Sequence, residues 1–441
     1  MKSRLAIIAL ALFALIGANI YASDTLTLAK ASELALARSK TLQQALLSVD
    51  SSLLAEKAQS FETLPQASLS LGGGLSYPTS SGATVADSAS VSASLSLSQT
   101  IYDGGKNAIL AAIDKLGTKS AREEARAAYL DVVESTEKAY YAVLEAQAGM
   151  EAAESDLVAS KAHQSLAQAK FDAGMVIKAA VLEAQAETAA KETSLSQAAK
   201  TLAVAKAKLK SIIGVASLPQ AVDFSAYATL MTTLMGLGDQ ATDSMIAKLN
   251  VTALSNNPSI AVSAIDVTQA ESEIAAARTA YLPTVSAAWS HEASYTAAGG
   301  IDLASGGGFS IAVSIPLDVW VTKNAVEAKT AEAQKAALSK DIDADNLSLE
   351  IQGAVYELIS AARSVSSSQK ALEYAESSYS VELELYRLSK ASSSELSDAE
   401  TLVSSNRSAL ISARYSFLSA ISTLKSLAGL DGDALLLALS R

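Results

Sequence analysis

The segment SASVSASLSLSQTIYDGG, residues 88–105, has serine at every even position from Ser88 to Ser98, with Ala89, Val91, Ala93, Leu95 and Leu97 between them. Alternation with a period of two is the pattern of a β-strand whose two faces meet different surroundings. Here one face is an unbroken row of hydroxyls and the other is modestly apolar. Gly308 to Leu317 alternates likewise, with Phe309, Ile311, Val313, Ile315 and Leu317 set against Gly308, Ser310, Ala312 and Ser314. Ala67, Leu69, Leu71 and Leu75 form one face of a third strand, and Val285, Ala287 and Trp289 one face of a fourth. Tyr77, Tyr102, Tyr295 and Trp320 stand near the strand ends. A soluble sheet with one wet face has the same period. Strands of about ten residues with a wholly uncharged inner face and terminal aromatics fit a transmembrane β-barrel better.

Composition narrows the class. The chain has 441 residues, 50% of them hydrophobic, and a formal charge of −12, which phosphate backbones would repel. It has no cysteine, which excludes disulfides, zinc–thiolate sites, cysteine nucleophiles and a lipid-modified N-terminal cysteine. Residues 1–22 read as a signal peptide: Lys2 and Arg4, an apolar run from Leu5 to Ile16, then small and polar residues to Ala22, with cleavage expected after Ala22. No later stretch approaches the roughly 20 apolar residues of a helical span. An exported protein is expected.

Proline falls only at positions 65, 78, 219, 258, 283 and 316. The long proline-free stretches are rich in Ala, Leu, Glu, Lys and Gln and predict very long helices. Tyr129, Val133, Tyr140, Val143, Met150 and Leu157 follow three-, four- and seven-residue steps, and Leu396, Ala399, Val403, Leu410, Phe417, Ile421 and Leu424 do the same. Both are coiled-coil-like stripes. A continuous helix from Gly105 to about Phe171 would be on the order of 100 Å long.

The chain is also a repeat. FETLPQASLSLGGG at 61–74 is echoed by RTAYLPTVSAAWS at 278–290, SASLSLSQTIYDGG by GFSIAVSIPLDVW at 308–320, and AKFDAGMV at 169–176 by ELYRLSKA at 384–391. The offsets agree to within a few residues, so each half reads helix, strand, strand, long helix, turn, long helix. The expected division is a first repeat at 23–218 (strands about 66–77 and 88–102, helical turn near 172–178), a linker at 219–245, a second repeat at 246–430 (strands about 284–296 and 308–320, turn near 387–394) and a tail at 431–441. Four strands do not close a barrel, and open edges in lipid leave backbone groups unpaired at several kcal/mol each. Closure must come from other chains. Two give eight strands and a filled interior, three give twelve and an open lumen, and a hydroxyl face wants water. A homotrimer is expected, with the serines lining a pore.

These residues resemble the TolC family of outer-membrane efflux proteins over essentially the whole mature length. The likeness rests on Ala253-Leu254-Ser255-Asn256-Asn257-Pro258 opening the second repeat, Tyr281-Leu282-Pro283 entering a strand, Ser98-Gln99-Thr100-Ile101-Tyr102-Asp103-Gly104-Gly105 leaving one, and Lys170-Phe171-Asp172-Ala173-Gly174 at a helical turn. The resemblance implies a membrane α+β fold: a homotrimeric twelve-stranded β-barrel, four strands per chain, continued by a long periplasmic α-helical barrel. It implies an outer-membrane exit channel for small toxic compounds or secreted protein, with a periplasmic adaptor and an inner-membrane pump as partners. The sequence departs from the family pattern at three places. Leu317 to Lys323 stands where a Gly-Gly turn is common, Ser389 replaces a turn glycine, and Ser39-Lys40 replaces Asn-Pro in the first half.

The family places Gly174 and Ser389 at the helical tips where adaptor hairpins dock; read without the family, they are C-caps. Glu395 and Asp398 are three apart on one helix face, where the family carries acids lining the periplasmic mouth, and Glu183 matches in the first half. Crowded carboxylates raise one another's pKa and attract cations; the bland alternative is a wet helix face. The only histidines, His163 and His291, are too few for a His-rich metal cluster or a Ser-His-Asp set, so no catalytic residue, cofactor or metal is expected. Gly72-Gly73-Gly74 lacks the Lys-Ser/Thr of a phosphate loop. The rival architecture is a trimeric surface adhesin or coiled-coil stalk with a barrel anchor, but the duplicated order of strand pair and hairpin opposes it.

Overall fold

The computed structural model describes residues 26–76, 88–297 and 301–430. The expected signal peptide, Tyr77 and the tail at 431–441 lie outside them. The helices are α1 (Leu28–Arg38), α2 (Lys40–Phe61), α3 (Lys106–Asp172), α4 (Lys178–Ile213), α5 (Ala228–Met235), α6 (Asp239–Asn256), α7 (Pro258–Arg278), α8 (Val319–Arg387) and α9 (Ser393–Leu427). The strands are β1 (Gln66–Ser76), β2 (Ser88–Tyr102), β3 (Thr284–Ala297) and β4 (Ile301–Ser314). The duplication survives in the helix lengths: α3 and α8 have 67 and 69 residues, α4 and α9 have 36 and 35. No helix among the described residues is long and apolar enough to cross a membrane.

The chain divides into two compact units. The first gathers residues up to Arg38, Ser135–Ala228 and Ser364–Ser419. Its core is the stripe expected from sequence: Tyr140, Val143, Leu396, Val403, Leu410 and Phe417 are all buried. The segment after α4 is tied down by backbone and rings. Leu26 bridges Pro219 in parallel, and the Tyr140 hydroxyl donates to the carbonyls of Leu26 (2.8 Å) and Gln220 (2.9 Å). Phe224 and Tyr227 meet Tyr415 and Phe417 edge-on, at 5.6 and 6.2 Å between ring centres.

The second unit holds Ser39–Glu134, Thr229–Arg363 and the chain from Ala420. The Asn-Pro pair has a structural task there. Asn257 accepts from the Ser259 N–H (2.8 Å) as N-cap of α7, with Pro258 in the first turn, and its amide donates to the Leu427 carbonyl (2.9 Å). Ser39, at the departure from the family pattern, caps α2 by accepting from the Leu42 N–H (3.2 Å). Hydroxyl replaces amide, and the helix still starts.

The sheet lies wholly in this second unit, in the antiparallel order β1-β2-β3-β4, so β2 and β3 join the two repeats. The fourth strand starts at Ile301, earlier than expected, because Ser305 and Gly307 interrupt the apolar alternation that marks a strand in sequence. It stops at Ser314 rather than running on to Leu317 or Trp320. Pro316 offers no N–H to a ladder, and Trp320 lies in the first turn of α8 instead.

Candidate functional site: a two-faced sheet and two helical turns

Register decides the faces of the sheet. Ser90, Ser92, Ser94, Ser96 and Ser98 pair with Gly74, Gly72, Ser70, Ser68 and Gln66 on one side, and with Thr296, Ser294, Glu292, Ser290 and Ala288 on the other. The β4 partners of this row include Gly306, Gly308 and Ser310. The serine ladder therefore extends across all four strands as one small, polar face. A Cβ at Gly72 would sit 3.0 Å from the Ser92 hydroxyl, so glycine there keeps the face low and leaves the serine free to turn. Neighbouring hydroxyls bond along it, as in Ser68 to Ser96 at 2.6 Å. The face is not wholly uncharged as expected. Glu292 sits on it, exposed, opposite Ser94; a lone acid in a strand that otherwise alternates small and apolar residues escapes a composition reading.

The opposite face carries Leu69, Leu71, Leu75, Val91, Phe309, Ile311 and Val313, each more than half exposed in the single chain. Trp289 pairs with Phe309, and His291 stacks parallel to Trp289 at 6.3 Å. At the end of β2 the register slips between Thr100 and Tyr102, a bulge that bends the strand where it leaves for α3. A contiguous exposed apolar patch of this kind marks a surface made for another apolar phase.

In the first unit the two helical turns are built alike. Gly174 (φ +73°) ends α3, with its N–H on the Phe171 carbonyl (2.9 Å) and the Met175 N–H on the Lys170 carbonyl (2.8 Å). Ser389 (φ +58°) ends α8 with the same pair of bonds, from Ser389 to Tyr386 (3.0 Å) and from Lys390 to Leu385 (2.8 Å). Both are Schellman caps, so the C-cap reading describes their geometry. Ser389 is the only non-glycine with positive φ among the described residues. Its hydroxyl meets the Lys170 ammonium at 3.1 Å. Lys170 also donates to the Tyr386 carbonyl and lies over the Tyr386 ring, and its burial pushes the amine below its ordinary pKa. A side chain from the first turn thus caps the second, and glycine at 389 would lose that partner.

The sequence-derived acids also lie in this unit. Glu395 is in the first turn of α9 and forms a capping box with Ser392. Its carboxylate accepts from the Ser392 N–H (2.7 Å) and hydroxyl (2.9 Å), and its own N–H donates to that hydroxyl (3.2 Å). The Ser392 N–H and hydroxyl hold Glu395 below the ordinary carboxylate value. Asp398 and Glu183 are exposed. The structure of one chain thus gives Glu395 a capping task and leaves the other two open to solvent.

One grouping escaped the sequence reading altogether. His163 (α3), Glu187 (α4) and Glu400 (α9) converge, with the His163 Nδ1 3.8 Å from a Glu187 oxygen and 3.7 Å from a Glu400 oxygen. The signal was present as polar residues on apolar faces. Ser160, His163, Ala167 and Lys170 fall at helical spacing and are all buried, and Glu400 sits in the stripe between Leu396 and Val403.

A sheet with one hydroxyl face and one exposed apolar, aromatic face, in a chain whose two halves each add a long helical hairpin, is the architecture of an outer-membrane β-barrel channel subunit. The chain belongs to the outer membrane efflux protein family, whose sequence model matches residues 31–215 and 249–430. No curated protein matches it in sequence. Among solved structures it is similar to CusC, studied for folding and transmembrane channel formation, with TM-score 0.75, 17% identity, and 94% of this chain and 96% of that one covered. It is also similar to the Campylobacter jejuni outer-membrane channel CmeC, with TM-score 0.70, 18% identity and coverage of 94% and 90%. The outer-membrane protein VceC from Vibrio cholerae gives 0.71, 16%, and 91% and 96%. At these identities the likeness is one of fold.

Proposed function

We propose that three copies of this chain close a twelve-stranded barrel whose serine face lines a water-filled pore, continued by their helical hairpins into the periplasm. In this reading the channel is the exit duct of a tripartite efflux or type I secretion system, served by a periplasmic adaptor and an inner-membrane pump. The observation that carries it is the sheet: four strands, open edges at β1 and β4, and faces of opposite character. An isolated four-stranded sheet in lipid would leave two rows of backbone groups unpaired, and closure with two further copies removes both. Leu46, Leu47 and Leu54 on α2 and Leu338, Ile342 and Leu349 on α8 are also more than half exposed in one chain, as helices that await neighbours would be. The expected result of mass measurement in mild detergent is a trimer, with well-defined conductance in planar bilayers. A monodisperse monomer that keeps its strand signal would sink the proposal.

The two helical turns are the proposed adaptor contacts. A Cβ at Gly174 meets nothing within 4 Å, so a larger side chain has room but must adopt a left-handed backbone, at a cost of about 1–2 kcal/mol. A long helical pair tolerates that. Gly174→Trp should therefore leave trimer yield and pore conductance intact while abolishing export that depends on adaptor docking. Normal export by this variant would leave Gly174 only its capping role.

A further inference from the structure

We propose that His163, Glu187 and Glu400 form a binding site for a divalent first-row transition metal that clamps α3, α4 and α9 together. The inference is independent of the channel reading above. Each residue offers one ligand atom, and these atoms lie within 4.8 Å of one another. The three residues come from three helices of one compact unit. His163 and Glu400 are 3% and 7% exposed, and the His163 Nδ1 and one Glu400 oxygen face each other at 3.7 Å. The His163 Nδ1 and both Glu400 carboxylate oxygens have no hydrogen-bond partner, and neither has one oxygen of Glu187.

That is an electrostatic deficit. A buried carboxylate with no donor, as Glu400 is, is among the costliest arrangements a fold can hold, and Glu187 beside it adds repulsion that Ser397 and the nearby Lys191 offset at Glu187 alone. An imidazolium at 3.7–3.8 Å is too far to hydrogen-bond either one. A dication held by one atom of each residue balances both carboxylates and gives the bare His163 Nδ1 and a bare Glu400 oxygen a partner.

The surroundings fit a metal as well. The His163 Nε2 lies 3.3 Å from the Ser393 hydroxyl; in the tautomer that donates there, the Nδ1 lone pair is free to bind an ion. Ser397 donates to Glu187 at 2.7 Å and holds that carboxylate in place. Donors around a tetrahedral zinc, each about 2.0–2.1 Å from the ion, are roughly 3.3 Å apart, so the present spacing closes by side-chain rotation of about 1 Å. One imidazole with two carboxylates suits zinc, manganese, cobalt or ferrous iron, and disfavours calcium and magnesium. Access is available: a cavity of about 150 Å³ reaches Glu400, and the two other carboxylates on its wall, Asp156 and Glu376, are paired with Arg407 at 3.1 and 3.4 Å, with Lys191 beside them.

The test uses the full-length detergent-solubilised protein, stripped with chelator, dialysed against zinc and assayed by elemental analysis. One zinc per chain is expected, released on acidification as the ligands take protons, with a rise in the thermal midpoint of the helical signal. X-ray absorption should show nitrogen and oxygen donors with a single imidazole. Ser393→Ala should weaken binding about 10–100-fold, and His163→Gln or Glu400→Gln by more than that. If Glu400→Gln does not assemble, His163→Gln carries the test. The double variant Glu395→Gln, Asp398→Asn should keep its zinc, which separates this site from any ring of exposed acids. Absence of stoichiometric zinc, cobalt or manganese binding overturns the proposal. Binding unaffected by His163→Gln and Glu400→Gln but lost from the Glu395/Asp398 variant overturns it too.

Discussion

Leu71→Arg should abolish the membrane-inserted oligomer, whereas Ser70→Arg, one residue earlier on the same strand, should leave it assembled. Successive strand residues point to opposite faces, so the pair presents the same guanidinium to opposite sides of one sheet. Leu71 is 76% exposed on the apolar face, midway along β1. An arginine on the lipid face near the bilayer midplane costs about 2–4 kcal/mol in a barrel, and a trimer bears that cost three times. Ser70 lies on the hydroxyl face opposite Ser94. A cation there stays in water, and its expected effect is smaller conductance with a shift toward anions. The measurements are the yield of trimer in outer-membrane fractions and single-channel recording. Equal tolerance of both substitutions, or loss of the trimer with Ser70→Arg alone, would mean that the faces are assigned wrongly.

The sheet was legible because its code is short-range. Alternation from Ser88 to Ser98 needs no knowledge of partners, and the register then carries it across β1, β3 and β4. Helix extent was legible for a related reason: after Gly105 no proline falls before Pro219, and the first long helix ends at a left-handed residue, Gly174. What escaped depends on contacts distant in sequence. The bulge near Tyr102 answers to its neighbour strand, and the early start of β4 is hidden by Ser305 and Gly307 on the apolar face. The His163 cluster draws its members from three helices, so no local spacing announces it. Only the presence of ionisable residues in otherwise apolar stripes hinted at it. Ser389 taught the converse. It looked like a departure from the family, yet its hydroxyl is the partner of the buried Lys170.

Replacing the acids at the start of α9 should change what the pore admits without changing its assembly. Glu395 complicates the obvious experiment, because its carboxylate is half of a capping box with Ser392. Alanine there would remove a cap along with a charge, and frayed helix ends would mimic a lost gate. Glutamine keeps the box, since an amide oxygen still accepts from Ser392. The informative variant is therefore Glu395→Gln with Asp398→Asn, and Glu183→Gln added as a third step. Because Ser392 holds Glu395 below the ordinary carboxylate value of 4.5, it stays anionic at neutral and mildly acid pH. Its contribution to the cap is present above that ordinary value and is lost as pH falls through the lowered one. Asp398 and Glu183 are exposed, near the starts of α9 and α4. If three chains bring these acids to one constriction, the ring attracts cations and holds multivalent ones longest. The double variant should then lose most of its cation selectivity and weaken block by a trivalent cation from the periplasmic side by about tenfold or more. The third substitution should extend both changes, and trimer mass and thermal midpoint should stay as in the parent. A doubly substituted channel that keeps its selectivity and its block would leave Glu395 a helix cap, and Asp398 a residue on a wet face.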